Sequence, residues 1–182
     1  MWLASALVPA PRAAPPSGTR LAAVLVPIVT EDDEPSVIFT RRTQDLPRHP
    51  GEISFPGGLE HAGDAGLLDT ALRETEEELG LARQAVDVVG ALEAVHTTVS
   101  GILIVPFVGM LETRPVLRPN AAEIAQVLEY PLRELALAEA PVRHARGDRV
   151  DRGFAYEMVG ATIWGATARI LHSLLVRLGD RT

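Results

Sequence analysis

Apolar positions in this chain fall into short continuous runs and two helical stripes. Residues 21–29, LAAVLVPIV, are apolar throughout, the pattern of a strand buried on both faces. The acidic turn EDDEP at 31–35 follows, and SVIFT at 36–40 reads as its partner strand. The period then changes. Leu68, Leu72, Thr75 and Leu79 step by four, three and four residues and share one face of a helix. Asp64 is placed to cap that helix and Gly80 to end it. VDVVGA at 86–91 reads as a strand bent at Gly90, and ILIVPFV at 102–108 as a central strand interrupted by Pro106.

Residues 119–135 read as a short helix capped by Asn120, followed by a turn that starts at a proline. The charged segment 143–152 contains Gly147 and is expected to turn, and 154–159 to form a strand. In 162–178 an apolar stripe of Ile163, Thr167, Ile170, Leu171, Leu174 and Leu178 predicts an amphipathic helix, with Trp164 packed on the sheet. Strands and helices in this arrangement predict an α/β (α+β) fold, a mixed sheet flanked by helices as a sandwich.

Composition narrows the function classes. A chain of 182 residues, 47% hydrophobic, suits one domain with one core. Residues 1–20 are rich in Ala and Pro and read as a flexible N-terminal arm, leaving 21–182 as the domain. Net charge is −7 without a basic block, which argues against nucleic-acid binding. With no Cys there is no disulfide framework or thiolate nucleophile. No stretch approaches the roughly 20 apolar residues a membrane span needs, so no membrane partner is expected, and the absence of Cys fits a cytoplasmic setting. Whether the chain forms a homodimer is left open.

Charge is concentrated in two neighbouring stretches. On the predicted helix Glu74, Glu77 and Glu78 lie at i, i+3 and i+4, opposite the apolar stripe and flanked by Arg73. Such a cluster is either a solvated acidic face or a set of hard oxygen ligands for Mg2+ or Mn2+. Gly57 and Gly58 just before it allow close backbone approach to a ligand. Upstream, Arg41, Arg42, Arg48 and His49 reverse the local charge and suit an anionic substrate, Arg by bidentate contact to phosphate. The same arginines would equally serve as partners for surface carboxylates. Glu123, near the start of its predicted helix, is either a further site carboxylate or a residue placed there by the helix dipole. His96, beside an apolar run, is open to a structural or a functional role.

The stretch 57–81 resembles the box of the Nudix hydrolases through Gly58, Arg73, Glu74, Glu77, Glu78, Gly80 and Leu81. Three positions depart from it. Asp64 stands where the family usually has Glu, eight residues instead of seven separate it from Arg73, and Thr75 replaces an aliphatic residue. Thr40, Arg42, Gly51, Phe55, Pro56, Gly57 and Gly58 resemble the signature of the coenzyme A pyrophosphatase branch, with Thr43 for Ser and Pro47 where many members carry Arg, beside Arg48.

The resemblance implies a Nudix-type α/β/α sandwich and a metal-dependent hydrolase. Its substrate would be the diphosphate of coenzyme A or its thioesters, and its products 4′-phosphopantetheine and adenosine 3′,5′-bisphosphate. Mg2+ or Mn2+ would bind Glu74, Glu77, Glu78 and the Gly58 carbonyl. Glu74 or Glu77 would take the proton, Arg73 would orient them and Glu123 would assist. Arg42, Arg48 and His49 would meet the substrate. ADP-ribose or another nucleoside diphosphate derivative is the alternative substrate. A non-catalytic nucleotide-binding module is the alternative class, and the presence of all three box glutamates argues against it.

Overall fold

The computed structural model describes residues 18–31, 33–45, 49–97, 101–146 and 149–179. Most of the predicted N-terminal arm, together with Arg48 and Gly147, lies outside them. Two long apolar runs build the centre of the larger sheet. β1 (Arg20–Val29) and β7 (Ile102–Leu111) pair in parallel along their whole length, Arg20 opposite Ile102 through Val29 opposite Leu111. The far edge of β1 carries β2 (Ser36–Arg42) and β4 (Gly57–Leu59), both antiparallel. β2 also pairs with β3 (Ile53–Ser54) and β8 (Ile124–Pro131). β5 (Asp87–Ala91) and β6 (Val95–His96) complete the far edge of β7. The ladder is irregular between Val88 and Gly90, where the sequence predicts a bend.

Helices cover both faces, as the predicted sandwich requires. α1 (Leu67–Leu79) packs on one side through Ala71 and Leu79, against Ala23, Leu25, Ile38, Val105 and Phe107. α2 (Leu132–Ala138) and α3 (Gly165–Gly179) pack on the other, against Val26, Ile28, Phe39, Val108 and Tyr130. A second sheet of β9 (Glu139–Arg146), β10 (Arg149–Met158) and β11 (Ala161–Ile163) joins α2 to α3. No helix among the described residues is long and apolar enough to cross a membrane.

Four expectations are corrected. Pro106 does not interrupt β7. It sits between the part paired with β6, which ends at Ile104, and the part paired with β5, which begins at Phe107. Its missing N–H therefore falls at a junction, and its carbonyl accepts from Leu92 at 2.9 Å. Residues 119–135 do not form a capped helix; 124–131 are strand β8, and the helix that follows starts at Leu132. Ile124, Val127 and Leu128 fit a helical period as well as a strand, and the free edge of β2 decides between them. Ile163 belongs to β11, not to the stripe of α3. Trp164, expected on the sheet, is 48% exposed.

Candidate active site

β4 runs alongside α1, and the glycines there let the two approach. A Cβ on Gly58 would lie 2.5 Å from the carboxyl carbon of Glu74, so that carboxylate rests directly on the glycine. A Cβ on Gly57 would meet the Ala23 carbonyl at 2.3 Å. The Gly57 N–H donates to Glu78 Oε2 at 3.2 Å. At the far end of the helix Gly80 takes a left-handed φ of 65° and its N–H donates to the Glu76 carbonyl, the predicted stop.

Arg73 gathers the start of the site. Its Nε donates to Asp64 Oδ1 at 2.8 Å and its Nη2 to Asp64 Oδ2 at 3.1 Å. Its Nη1 donates to Glu74 Oε1 at 2.8 Å and Glu77 Oε2 at 3.0 Å, and Nη2 also reaches the Leu59 carbonyl at 3.4 Å. Asp64 therefore does not cap α1; the cap position is Gly66, without a side-chain bond. Arg73, the His61 N–H and the Thr70 hydroxyl claim the Asp64 oxygens instead. The Arg73 bond, then the His61 N–H, hold the Asp64 carboxyl well below the usual range. The additional residue before Arg73 is absorbed in the loop, because the shorter Asp64 side chain still makes a bidentate contact.

The three box glutamates do not share one solvated face. Glu77 is 59% exposed and Glu74 16%, whereas Glu78 is only 5% exposed. Glu78 turns into the seam between α1 and β4, while Leu68, placed by its spacing in the buried stripe, is partly exposed. Burial pushes the Glu78 carboxyl up to about 7. The Gly57 N–H and Arg42 oppose that rise, and the charges of Glu74 and Glu123 add to it.

Arg42 arrives from β2. Alternation along that strand puts Ile38 in the core on the α1 side and brings Arg42 Nη1 to 3.7 Å from Glu78 Oε1. Arg41 faces the other way; its Nη2 donates to the Gly160 carbonyl and its buried Nε has no partner among the described residues. His49 does not join the carboxylates. Its Nδ1 meets Glu52 Oε2 at 2.7 Å and the ring is mostly exposed. His96 is exposed on β6, where its carbonyl accepts from Arg169.

Glu123 lies on a turn, not in a helix, and is linked to the end of α1 through Asn120, whose Nδ2 donates to Glu123 Oε1 at 3.4 Å and whose N–H donates to the Glu78 carbonyl at 2.8 Å. Its N–H donates to the Asn120 carbonyl at 3.0 Å, and the Thr43 N–H donates to the Glu123 carbonyl at 2.8 Å. The sequence pattern gave Asn120 the wrong element and Thr43 only a place in the signature before the box. The spacing of Asn120 and Glu123 was the available signal, because an Asn side chain three residues before an acid also closes an isolated turn.

Among the described residues no three His, Asp or Glu side chains converge as a closed metal cluster. The donor types nevertheless fit a divalent cation. Glu74, Glu77 and Glu78 are hard oxygen ligands, and among the described residues the negative charge at buried Glu78 is opposed by a partly exposed arginine and one N–H. In the arrangement observed, Arg73 and Arg42 take up the carboxylates a cation would use.

A family model described as the NUDIX domain matches residues 19–150. The chain is 37% identical over 164 residues to an uncharacterized Nudix hydrolase NudL of Pectobacterium atrosepticum, covering 89% of this chain and 84% of that protein. It is 38% identical over 158 residues to the NudL of Photorhabdus laumondii, covering 85% and 83%. Among solved structures, a MutT/nudix family protein from Enterococcus faecalis superposes with a TM-score of 0.61 at 16% identity, over 93% of this chain and 66% of that one. The NUDIX domain of Shewanella oneidensis NrtR, complexed with ADP ribose, superposes with a TM-score of 0.56 at 16% identity, over 92% and 93%. At these identities the two superpositions bear on the fold.

Proposed function

The chain belongs to the Nudix hydrolase family, a pyrophosphohydrolase enzyme, and on that premise we propose that its substrate is coenzyme A or a coenzyme A thioester. What supports this choice is Arg42. The stretch from Thr40 to Gly58 that resembles the coenzyme A branch folds as β2, β3 and β4, and brings Arg42 to 3.7 Å from Glu78. A guanidinium at the edge of a carboxylate cluster is where one phosphate of a diphosphate would be held. His49, and Arg48 outside the described residues, would extend that contact toward the rest of the anionic substrate.

Nudix hydrolases generally use divalent ions such as Mg2+ or Mn2+. Here Glu74, Glu77, Glu78 and the Gly58 carbonyl would hold the ion. When bound, it supplies Lewis-acid stabilisation of the diphosphate charge and a more acidic water. Arg73 holds Glu74 and Glu77 in place through its Nη1, and Asp64 holds Arg73. The water oxygen forms a bond to one phosphorus, and the anhydride P–O bond breaks with its electron pair left on the other phosphate. The products are 4′-phosphopantetheine and adenosine 3′,5′-bisphosphate. The proton lost by the water goes to a carboxylate, Glu74 or Glu77 within the box or Glu123 beside it.

Incubation with coenzyme A and Mg2+ or Mn2+, followed by chromatography, tests this. ADP-ribose and diadenosine polyphosphates run alongside, with E77Q as control. Phosphopantetheine from the native protein and none from E77Q is the expected result. Turnover of ADP-ribose without coenzyme A turnover would remove the substrate assignment and leave the site intact.

A further inference from the structure

The segment before β8 makes more bonds into the site than a surface turn needs. The Arg118 N–H donates to the Leu79 carbonyl at 2.7 Å and the Asn120 N–H to the Glu78 carbonyl at 2.8 Å. Two carbonyls that the end of α1 leaves without helical partners are thus taken by this segment. Asn120 then shapes the turn. Its carbonyl accepts from the N–H groups of Glu123 at 3.0 Å and Ile124 at 2.8 Å. Its Oδ1 accepts from the Ala122 N–H at 3.1 Å, and its Nδ2 donates to Glu123 Oε1 at 3.4 Å. One residue therefore touches the backbone of Glu78 and the carboxylate of Glu123 together.

We propose that Asn120 is a positioning residue that fixes the Glu123 carboxylate beside Glu78. Like charges repel, and a turn whose residues 120–122 are exposed would, if free to relax, carry Glu123 away from the acidic helix toward water. The Asn120 side chain opposes that movement twice, by closing the turn through Oδ1 and by holding the carboxylate through Nδ2. Its backbone anchors the turn to the end of α1. The Thr43 N–H on the Glu123 carbonyl ties the same turn to the residue after Arg42. The cation-bearing strand and the carboxylate-bearing helix are thereby set relative to Glu123 by one short segment. This inference rests on the reading of Glu123 as a working carboxylate of the site.

The test is a double-mutant cycle on whichever diphosphate substrate the native protein turns over, at saturating Mg2+. E123Q is expected to lower kcat about a hundredfold. N120A is expected to lower it about tenfold with KM within twofold, through a misplaced carboxylate. In the E123Q background N120A should cost nothing further, because there is no carboxylate left to position. N120D keeps an oxygen for the Ala122 N–H but replaces the donor to Glu123 with a second carboxylate; it should still fold, with at most a small loss of Tm, and lose kcat. Full native kcat in N120A and N120D would overturn the proposal, as would an equal N120A loss with and without Glu123. Full native kcat in E123Q would instead sink the reading of Glu123 on which the proposal stands, while leaving the substrate assignment untouched.

Discussion

The guanidinium of Arg73 lies between Asp64 and Glu74, 2.8 Å from each, by Nε on one side and Nη1 on the other. A loop residue thus orients a helix residue through a shared cation. The loop carboxylate is almost inaccessible, at 3% exposed. Removing it leaves a half-buried arginine with fewer partners and a helix start with one less tie.

D64N is therefore expected to lower thermal stability, with a particular dependence on pH. The Asp64 pKa is depressed in the folded protein, so its contribution is present above the ordinary aspartate value of about 4 and is lost as pH falls through the folded value. The Tm difference between native protein and D64N should be full at pH 7 and shrink below about pH 4. A difference that stays constant down to pH 3 would show that the carboxylate charge is not what stabilises.

Glu78 predicts the opposite sign. Its folded pKa is raised to about 7, so burying the charged form costs stability as pH rises from about 4.5 through 7. Without metal, E78Q should match the native stability near pH 4 and exceed it at pH 8 by an amount on the order of a few kcal/mol, read as a higher Tm. Activity with Mg2+ should fall about a hundredfold or more in the same variant. Thermal melts across pH, paired with product assays, separate the two effects. A lower Tm at pH 8 would contradict the burial argument.

The two glycines of β4 should respond differently to alanine. At Gly58 the atoms nearest an added methyl are those of the Glu74 carboxylate, the far end of a side chain that can turn aside by giving up its Arg73 contact, so G58A should fold with a Tm close to native and lose activity about tenfold or more. At Gly57 it meets the Ala23 carbonyl and the Val24 Cα, which cannot move without disturbing β1. G57A should lose several degrees of Tm or fail to accumulate. Equal losses of stability in both would mean that Glu74 does not rest on Gly58 as described.

Arg42 is both the partner of Glu78 and the proposed phosphate contact. R42A should raise KM for coenzyme A about tenfold or more, and R42K should recover only part of it because a point charge replaces a bidentate fork. An unchanged KM in R42A would remove Arg42 from the substrate contact.

Much of this protein was decided along the chain. The apolar runs at 21–29 and 102–108 read as buried strands and fold as β1 and β7, and the close glycines, the Arg73-to-Glu78 register and the Gly80 stop follow from local spacing. Those features depend on backbone conformation and on which side chains share a helix face, and both are local. Tertiary structure decided what depended on neighbours. Segment 124–131 became a strand because β2 had an edge to pair. Asp64 became the partner of Arg73 because the loop folds back over nine positions to meet it. Glu78 left the acidic face because β4 passes over that side of α1, a packing that spacing along the helix does not contain. Asn120 acquired its contacts for the same reason: residues more than forty positions away in sequence, at the end of α1, supply the carbonyls on which its turn is anchored.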